Sequence, residues 1–491
     1  MKLIMPLLCD FYKVSHRAMY PQGTETVYST WTPRTSRLPG INEVVWFGGQ
    51  AFYKEYLVDM FNEHSFSRPK GEVLEEYVRT IKYTLGDQQP QTTHLEELHD
   101  LGYLPLSIKA LPEGSKVPIR TPVMTIENTD PRFFWLTNFI ESLASSELWQ
   151  PSTSATLARE YRKIFDYYGT LTVGNTEFSG FQGHDFSMRG MSSLRSAMLS
   201  GMGHLTSFVG TDTIPAICAA EIYYGANIEK ELVGTSVPAT EHSIQCAYGD
   251  DTAYLRRMLT EVHPQGIVSI VSDGYDFWDV LGRVVPSLKT EIMSRSGGFP
   301  VDKVVIRPDS GDPVKIICGD PEGQSELERK GAVEVLWDIF GGTTSSQGYK
   351  LLDSHIGLIY GDAITLDRAR DILSRLKSKG FASTNIVFGI GSYTYQYNTR
   401  DTFGFALKST SCTINGEERA IYKSPKTDSG IKKSQRGRVA VLRGEEGEYI
   451  TIDNLTAKSQ AEGNLLTEVF RDGKVLVEER LSDIRTRILL G

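Results

Sequence analysis

The stretch Lys303–Pro313, KVVIRPDSGDP, joins a strand-like apolar run to several residues that could do chemistry in this 491-residue chain. Its three central apolar residues lead into a polar loop that carries Arg307, Asp309 and Asp312. Such a run is typical of a parallel strand that is buried on both faces and ended by proline and glycine. Enzymes with α/β folds place charged side chains where such strands end, although a solvated loop that only breaks the strand has the same sequence.

Similar polar groups follow other strand-like segments of the chain. They are Asp185, Arg189, Asp212, His242, Asp273, Arg307, Asp309 and Asp362, with Gly389 and Gly391 of the GIGS turn. In a parallel barrel these strand ends converge on one mouth. Carboxylates there can hold sugar hydroxyls or a divalent cation, arginines can clamp phosphate, and glycines let backbone N–H groups approach it. The set predicts a site for a phosphorylated sugar with Mg²⁺, whereas His184 and His242 lack partners at the spacing that zinc needs.

A repeat of short apolar strand, polar loop and helix predicts the elements that position these residues. The repeat runs from about Phe181 to Ser392, and its best-marked helix begins after Thr365, a good N-cap residue, and ends near Gly380. Alternating strands and helices imply a parallel sheet. We therefore predict an α/β fold in which residues 169–396 form an irregular, TIM-barrel-like catalytic domain. A doubly wound open sheet is the alternative.

The two ends of the chain predict a second domain, α+β and rich in strands, made from residues 1–168 and 397–491. After Tyr397, two-residue alternation predicts antiparallel strands, Asp472-Gly473 a hairpin turn and Leu481–Leu490 a closing helix. Basic residues gather in this part of the chain: Lys423, Lys426, Lys432, Lys433, Arg436 and Arg438. Such a run is either a solvated face or a site for a small polyanion, so this domain is expected to supply phosphate-binding cations.

Composition excludes several classes of protein. The formal net charge of −9 argues against a general nucleic-acid binder. The five cysteines are widely spaced and form no metal-binding or redox pattern, which is typical of reduced thiols in a cytosolic protein. The short apolar run at the N-terminus ends at Asp10 without a cleavage site, so no signal peptide is predicted. No apolar run is long enough for a membrane span, and we expect a cytoplasmic protein.

Nine motifs, taken together and in this order, resemble one known family. They are CDFYKVSH, ENTDPRFFWLTNFIES, HDFSMRG, GTDT, SVPATEHS, VSDGYD, IRPDSGDP, GDAIT and TRD. From Asp10 to about Arg438 the chain resembles the nicotinamide phosphoribosyltransferases, within the type II phosphoribosyltransferases. The resemblance implies transfer of a phosphoribosyl group from 5-phosphoribosyl 1-diphosphate to nicotinamide for NAD salvage, with Mg²⁺, stimulation by ATP, and a homodimer to which the second domain contributes contacts.

The resemblance also implies roles for individual residues. His242 would be phosphorylated by ATP, Asp309 and Asp362 would hold ribose hydroxyls, and Arg307 would lie beside the ring and ribose; we take these four as catalytic. Phe186 and a second subunit's Tyr12 would stack on the pyridine ring, and Asp212 would accept from the carboxamide. The remaining substrate-binding residues that it implies are Asp10, Arg189, Ser236, Ser272, Gly361, Gly391, Ser392, Arg400, Lys408, Lys423 and Lys432. No residue set for the metal follows from the sequence.

Three other functions remain possible at this point. A carboxylate at Asp212 suits an amide and would repel the carboxylate of nicotinate, so a nicotinate-specific enzyme is disfavoured. A glycoside hydrolase with two carboxylates would leave the basic residues and the GIGS turn without a role. A non-catalytic descendant that only binds nucleotide or a partner protein would not need His242, Asp309 and Asp362 together.

Overall fold

The computed structural model describes residues 3–422, 434–459 and 461–490. The chain divides into two compact units. The first, here called the sheet unit, comprises Met1–Thr156, Ala219–Ala226 and Asn398–Gly491. The second, the barrel unit, comprises Leu157–Cys218 and Asn227–Tyr397.

Parallel strands form the centre of the barrel unit. They are Gly183–Asp185, Gly210–Thr211, Ile267–Val271, Lys303–Arg307, Ile356–Tyr360 and Ile386–Ile390. Ile386–Ile390, the last strand, pairs with Gly183–Asp185, the first. The two edge strands of the sheet are therefore Gly210–Thr211 and Ile267–Val271. The segment 235–239 lies between those two, joined by the single parallel bridges Gly210↔Thr235 and Ala239↔Ser269. Seven parallel segments thus follow one another around the barrel in chain order, which confirms the predicted barrel-like fold over the open sheet.

The barrel strands are apolar because one set of their side chains packs outward and the other faces an internal cavity. Val304 and Ile306 are fully buried, and they pair with Val268 and Ile270 of the neighbouring strand. The intervening Val305 lines a cavity of about 340 Å³ inside the barrel unit. An interior of this size can hold a small aromatic ligand.

Helices connect the barrel strands, and local sequence signals set their ends. At the helix Leu366–Ser378, the Thr365 hydroxyl accepts a hydrogen bond from the Arg368 N–H, as predicted for an N-cap, and Gly380 has a positive φ of 80°. The α-helices of this unit are Trp149–Thr172 (of which 157–172 belong to it), Ser179–Gln182, Leu194–Leu205, Ile214–Tyr224 (to residue 218), His242–Tyr248, Asp251–Arg257, Phe277–Asp279, Val285–Ser287, Lys289–Met293, Pro313–Cys318, Glu326–Lys330, Ala332–Phe340, Leu366–Ser378 and Ser392–Tyr395. Wider or tighter helical turns occur at Met188–Gly190, Met258–Val262, Val280–Val284 and Ser383–Asn385, and a small hairpin joins Gly342–Thr344 to Lys350–Leu352.

Strands from both ends of the chain form one antiparallel sheet in the sheet unit. Its order is Glu417–Ala420, Ala406–Ile414, Thr24–Thr32, Met124–Asn128, Leu106–Ala110, Thr467–Arg471 and Lys474–Val475. Two further strand pairs are Arg438–Arg443 with Tyr449–Leu455 and Glu43–Val45 with Lys116–Pro118. The hairpin predicted at Asp472-Gly473 is present, with φ of 49° and 76° at the two turn residues, the conformation that this dipeptide favours.

The helices of the sheet unit include the predicted closing helix. The α-helices are Lys13–Met19, Gly49–Phe52, Lys70–Leu85, Thr93–Leu101, Leu136–Phe139, Glu141–Glu147 and Leu481–Leu490. Other helical turns are Met5–Leu7, Tyr53–Met60, Asn62–Phe66, Pro131–Phe133 and Arg400–Thr402. Within the described ranges, no helix has both the length and the apolar character that crossing a membrane requires.

One member of the predicted basic cluster has a structural role instead. Arg438 donates to Glu127 at 2.6 Å and to Glu418 at 2.8 Å, and its guanidinium lies 4.8 Å from the centre of the Tyr28 ring. Two carboxylates neutralise this cation and its side chain is only 17% exposed, so Arg438 belongs neither to a solvated face nor to a phosphate site. Arg436 is exposed and stacks on Tyr422. The other four members, Lys423, Lys426, Lys432 and Lys433, lie outside the described residues.

Candidate active site at the barrel mouth

Phe186 lies where the first barrel strand ends, and it borders the internal cavity. Its ring centre is 4.7 Å from that of His184. A Cβ atom added at Gly389 would lie 2.4 Å from the Phe186 ring, and one at Gly361 would lie 2.3 Å from an Asp309 carboxylate oxygen. Both distances are shorter than a Cβ atom tolerates without movement of its neighbour, so glycine at these positions lets this ring and this carboxylate lie against the backbone.

A first histidine–carboxylate pair faces the same cavity. His184 Nε2 lies 2.8 Å from Asp212 Oδ1, and the Ser236 hydroxyl donates to the same oxygen at 2.5 Å. Burial disfavours the ionised carboxylate, but the hydrogen bonds from His184 and Ser236 outweigh this effect and lower the pKa of Asp212. The Asp212 side chain is 44% exposed and that of His184 only 12%. The pair therefore presents an ionised carboxylate to whatever enters the cavity.

A second histidine–carboxylate pair has the opposite exposure. His242 Nε2 lies 3.0 Å from Asp273 Oδ1, and the His242 side chain is 48% exposed while that of Asp273 is 3% exposed. The other oxygen of Asp273 accepts from the Asp309 N–H at 3.0 Å and from the Ser310 hydroxyl at 2.6 Å. Burial opposes ionisation, but these three hydrogen bonds prevail and lower the pKa of Asp273. This pair presents an imidazole to solvent.

The imidazole of His242 has a defined tautomer. Because an ionised carboxylate only accepts hydrogen bonds, Nε2 of His242 carries the proton that points to Asp273. The neutral ring then has its lone pair on Nδ1, which receives no hydrogen bond from any residue in the described part of the chain. Nδ1 is a free nucleophilic atom at the surface of the barrel unit.

Arg307, Asp309 and Asp362 form the charged centre of the site. Arg307 donates to the Thr240 carbonyl oxygen, and its Nε lies 3.6 Å from Asp309 Oδ2. Burial raises the pKa of Asp309; the Arg307 cation opposes this, and the neighbouring Asp273 and Asp362 carboxylates add to it. Tyr360 fixes the loop, since its hydroxyl lies 2.9 Å from the carbonyl oxygens of both Ser310 and Gly311. Carboxylates held close together against their mutual repulsion favour a cationic ligand or one rich in hydroxyl groups.

The predicted phosphate-binding turn lies at the end of the last barrel strand. Gly391 precedes the short helix Ser392–Tyr395, and a Cβ atom at Gly391 would meet nothing within 4 Å. Ser392 packs on the turn Met188–Gly190, because a Cβ atom at Gly190 would lie 1.9 Å from its hydroxyl oxygen. That turn carries the exposed Arg189. An open backbone turn and an exposed arginine on adjacent elements form a suitable phosphate site.

The five remaining described residues of the predicted set lie outside this cluster, and four of them belong to the sheet unit. Ser272 is fully buried, and its hydroxyl donates to the Ile270 carbonyl oxygen in its own strand. Asp10, Tyr12 and Lys408 lie in the sheet unit and are linked through Ser142, Lys13 and Glu141. Arg400 is exposed in the turn Arg400–Thr402 of the same unit. Lys423 and Lys432 lie outside the described residues.

The sequence did not predict two pairings that the structure brings into the site. His184, in HDFSMRG, was considered only as a metal ligand, and Asp273, in VSDGYD, was expected at the mouth without a partner, because the residues with which they pair lie 28 and 31 positions away. Asp185, expected at the mouth, is fully buried and accepts from the Ser187 N–H and the Thr213 hydroxyl. It holds two loops together and is not available to a ligand. The usable signal was the recurrence of His and Asp at successive strand ends.

The residues present fit Mg²⁺ that arrives with a diphosphate. No group of three or more His, Cys, Asp or Glu side chains, among the residues that the structure describes, is arranged as a metal cage. Mg²⁺ usually takes one or two carboxylates, with water and phosphate oxygens completing its shell. Asp309 and Asp362, whose carboxylates repel one another electrostatically, can supply such a pair.

Comparison with known proteins agrees with this geometry. Residues 181–474 match the nicotinate phosphoribosyltransferase family, and residues 4–88 match the N-terminal domain of nicotinamide phosphoribosyltransferase. The chain is 50% identical to nicotinamide phosphoribosyltransferase of Acinetobacter baylyi over 98% of this chain and 96% of that protein. It is 36% identical to the Mycoplasma pneumoniae protein of the same name, over 88% of this chain and 94% of that protein.

Solved structures share the fold at low sequence identity. Nicotinate-nucleotide pyrophosphorylase from Pyrococcus furiosus superposes with a TM-score of 0.59 at 15% identity, covering 98% of this chain and 93% of that one. Human nicotinic acid phosphoribosyltransferase superposes with a TM-score of 0.53 at 15% identity, covering 99% of this chain and 93% of that one. With the family match extending over more than half of its length, the chain belongs to the nicotinate phosphoribosyltransferase family, on the branch whose similar members are named nicotinamide phosphoribosyltransferase.

Proposed function

We propose that the chain is a nicotinamide phosphoribosyltransferase, which transfers the phosphoribosyl group of 5-phosphoribosyl 1-diphosphate to the ring nitrogen of nicotinamide. The products are nicotinamide mononucleotide and diphosphate, and the reaction serves NAD salvage. One observation carries the proposal: the exposed, ionised carboxylate of Asp212 and the ring of Phe186 border the same cavity. A pyridine carboxamide needs both an aromatic surface and a hydrogen-bond acceptor, and the similar proteins bear this name.

Recognition of the base explains the choice between nicotinamide and nicotinate. Asp212 accepts from the carboxamide N–H₂, while Phe186 stacks on the pyridine ring. Nicotinate would place a second carboxylate against Asp212, and the resulting repulsion rejects it. His184 and Ser236 support this choice because their hydrogen bonds keep Asp212 ionised and fix its direction.

Stabilisation of developing charge explains the transfer step. As the anomeric C–O bond breaks, positive charge develops on the ribose and negative charge on the diphosphate. Asp309 and Asp362 hold the ribose hydroxyls and face the developing cation, and Arg307 keeps Asp309 in place. Bound Mg²⁺ supplies charge neutralisation on the leaving diphosphate. The ring nitrogen of nicotinamide is already a nucleophile, so positioning replaces a general base.

His242 couples the reaction to ATP in this proposal. Its Nδ1 lone pair attacks the γ-phosphorus of ATP, the bond from that phosphorus to the bridging oxygen breaks, and ADP leaves. Asp273 stabilises the ring through the Nε2 proton during this step. Water later hydrolyses the phosphohistidine to phosphate and free histidine. Support comes from the unpartnered Nδ1 atom and from the buried carboxylate behind it.

Two broader features complete the proposal. The enzyme acts as a homodimer, in which the partner's copy of the segment at Tyr12 completes the base site; this rests on the family resemblance and is checked by light scattering. It acts in the cytosol, with support from its five cysteines, which are all free thiols.

An assay of product formation tests the proposal. The enzyme receives 5-phosphoribosyl 1-diphosphate and Mg²⁺ with nicotinamide or nicotinate, each with and without ATP. The expected result is nicotinamide mononucleotide from nicotinamide, in higher yield with ATP, and little product from nicotinate. Equal or greater use of nicotinate would contradict the role of Asp212, and no product from either base in a folded sample would overturn the enzymatic function.

A further inference from the structure

The motif ENTDPRFFWLTNFIES ends in Glu141 and Ser142, which so far have no role. Both residues begin the helix Glu141–Glu147 of the sheet unit, and both contact residues for which the family resemblance implies substrate roles. We propose that Glu141 and Ser142 are a positioning pair, which holds Asp10, Tyr12 and Lys408 in the arrangement that receives substrate. This inference rests on the proposed function, because the substrate roles of those three residues come from the family resemblance that underlies it.

Glu141 connects two lysines through its two carboxylate oxygens. Its Oε2 pairs with Lys13 Nζ, and its Oε1 lies 3.2 Å from Lys408 Nζ. The Lys13 side chain is 3% exposed, that of Glu141 19% and that of Lys408 40%. A lysine as deeply buried as Lys13 requires a counter-ion, and without Glu141 its charge would also repel the ammonium of Lys408. Glu141 therefore fixes the position of both cations.

Lys13 in turn contacts the ring of Tyr12. Its ammonium lies 5.1 Å from the centre of the Tyr12 ring, within cation–π distance. The His16 ring, one helical turn away, meets the Tyr12 ring edge-on with centres 4.7 Å apart. The Tyr12 side chain nevertheless remains 57% exposed. Its ring is thus held in place by two neighbours while most of its surface stays open for stacking on a substrate.

Ser142 holds the residue at the start of the same segment. The Asp10 N–H donates to the Ser142 hydroxyl oxygen at 3.0 Å, and that hydroxyl donates to the Asp10 carboxylate. Asp10 and Lys13 are thus attached, through adjacent residues, to the first turn of one helix. Tyr12 lies between these two attachments and needs both of them for a fixed orientation.

Two measurements on Glu141→Gln and Ser142→Ala test the positioning. The first is hydrogen exchange of the peptide that contains residues 10–19, which needs no activity. The second is the KM for nicotinamide against kcat at saturating 5-phosphoribosyl 1-diphosphate. We expect exchange in that peptide to accelerate about 10-fold, and the KM to rise about 10-fold in Glu141→Gln and less in Ser142→Ala, with kcat changed by less than about 2-fold.

Glu127→Gln is the matched control, because Glu127 belongs to the same motif and pairs with Arg438, which has no substrate role. It should leave both the exchange of residues 10–19 and the KM unchanged. If Glu141→Gln does not fold, Glu141→Asp and Ser142→Ala provide the same two readouts, with partial rescue expected for aspartate.

Wild-type exchange and KM in both Glu141→Gln and Ser142→Ala would overturn the proposal, as would a loss confined to kcat. A failure of the proposed function is distinguishable, since wild-type enzyme would then form no mononucleotide although exchange still responded to Glu141→Gln. Faster exchange without a higher KM would also reject the positioning role.

Discussion

The barrel unit contains two histidine–aspartate pairs that are nearly equal in geometry and opposite in exposure. In both, Nε2 of the histidine meets one carboxylate oxygen, at 2.8 Å for His184–Asp212 and 3.0 Å for His242–Asp273. In the first the carboxylate is open and the imidazole is covered; in the second the imidazole is open and the carboxylate is covered. The exposed member is the one that can meet a ligand, so burial assigns a different task to each pair.

The covered member of each pair acts through its partner. His184 packs against the backbone, since a Cβ atom at Gly210 would lie 2.8 Å from its Nδ1. Its hydrogen bond orients the Asp212 carboxylate and favours the ionised form. Asp273 is fixed by three donors and directs the lone pair of His242 outward. Under the proposed function, the same two residue types thus form a base-recognition group at one place and a nucleophile at the other.

The substitution Asp212→Asn should have the largest effect, and this effect should be confined to the choice between nicotinamide and nicotinate. An amide at this position no longer repels nicotinate, so the ratio of kcat/KM for nicotinamide to that for nicotinate should fall about 100-fold, or about 2.7 kcal/mol. Steady-state kinetics with both bases measures this ratio. ATP stimulation should remain, and its loss would show that the two pairs do not act separately.

Asp273→Asn should instead reduce ATP coupling. The neutral amide cannot stabilise the ring of His242 as charge develops on it, so the ATP-dependent increase in rate should fall by roughly 30-fold. Comparing initial rates with and without ATP gives the effect, and His242→Gln sets the value for complete loss. A changed preference for nicotinamide over nicotinate would contradict the division of tasks.

Ser236→Ala should weaken the first pair without removing it. Loss of one donor to Asp212 leaves the His184 hydrogen bond, so the KM for nicotinamide should rise about 5-fold, or roughly 1 kcal/mol. The control is Ser243→Ala, because Ser243 lies next to His242 and its hydroxyl donates to Glu241 instead of to Asp212. Equal effects of both variants would indicate a general disturbance.

Asp309→Asn should raise stability by about 1 kcal/mol or less at neutral pH, although activity is lost. Its pKa is raised in the folded state, so the folded protein binds this proton more tightly than the unfolded chain. Stability therefore falls as pH rises from the ordinary aspartate value through the raised one, and the penalty persists at neutral pH. Asparagine removes the penalty. Urea unfolding at pH 7 measures the difference in stability between Asp309→Asn and the wild type. A variant less stable than the wild type would contradict the raised pKa of Asp309.

The opposite sign applies to Asp212 and Asp273. Their pKa values are lowered, so each contributes stability that is present above the ordinary aspartate value and is lost as pH falls through the folded value. The stability that is lost on acidification should therefore be smaller in Asp212→Asn and in Asp273→Asn than in the wild type. The three carboxylates of one site thus respond to pH in two directions.

Local signals made part of this structure predictable from the sequence. The cap at Thr365, the turn at Asp472-Gly473 and the helix Leu481–Leu490 depend on neighbouring residues, and all three are confirmed. The strand Lys303–Arg307 was recognisable because both of its faces are buried. The segment 235–239, which the repeat counted as one of its strand units, joins the barrel only by single bridges, and it contains Pro238, which has no N–H to donate.

The parts of the site that escaped prediction depend on residues far apart in the chain. The pairing of Arg438 was not visible in the sequence because its two carboxylate partners, Glu418 and Glu127, lie 20 and 311 positions away. Which member of a histidine–aspartate pair is covered depends on how the barrel closes around it. Residue types and motifs therefore located the mouth of the barrel, but only the fold distinguishes Asp212 from Asp273.

The most direct test of the two-pair account is to map phosphate on the enzyme after exposure to ATP labelled at its γ-phosphate. Rapid quenching at alkaline pH preserves phosphohistidine, and mass spectrometry of the peptides that contain His184 and His242 locates it. The account predicts phosphate on His242, none on His184, and strongly reduced labelling in Asp273→Asn but not in Asp212→Asn. Label on His184, or equal labelling of both histidines, would contradict it.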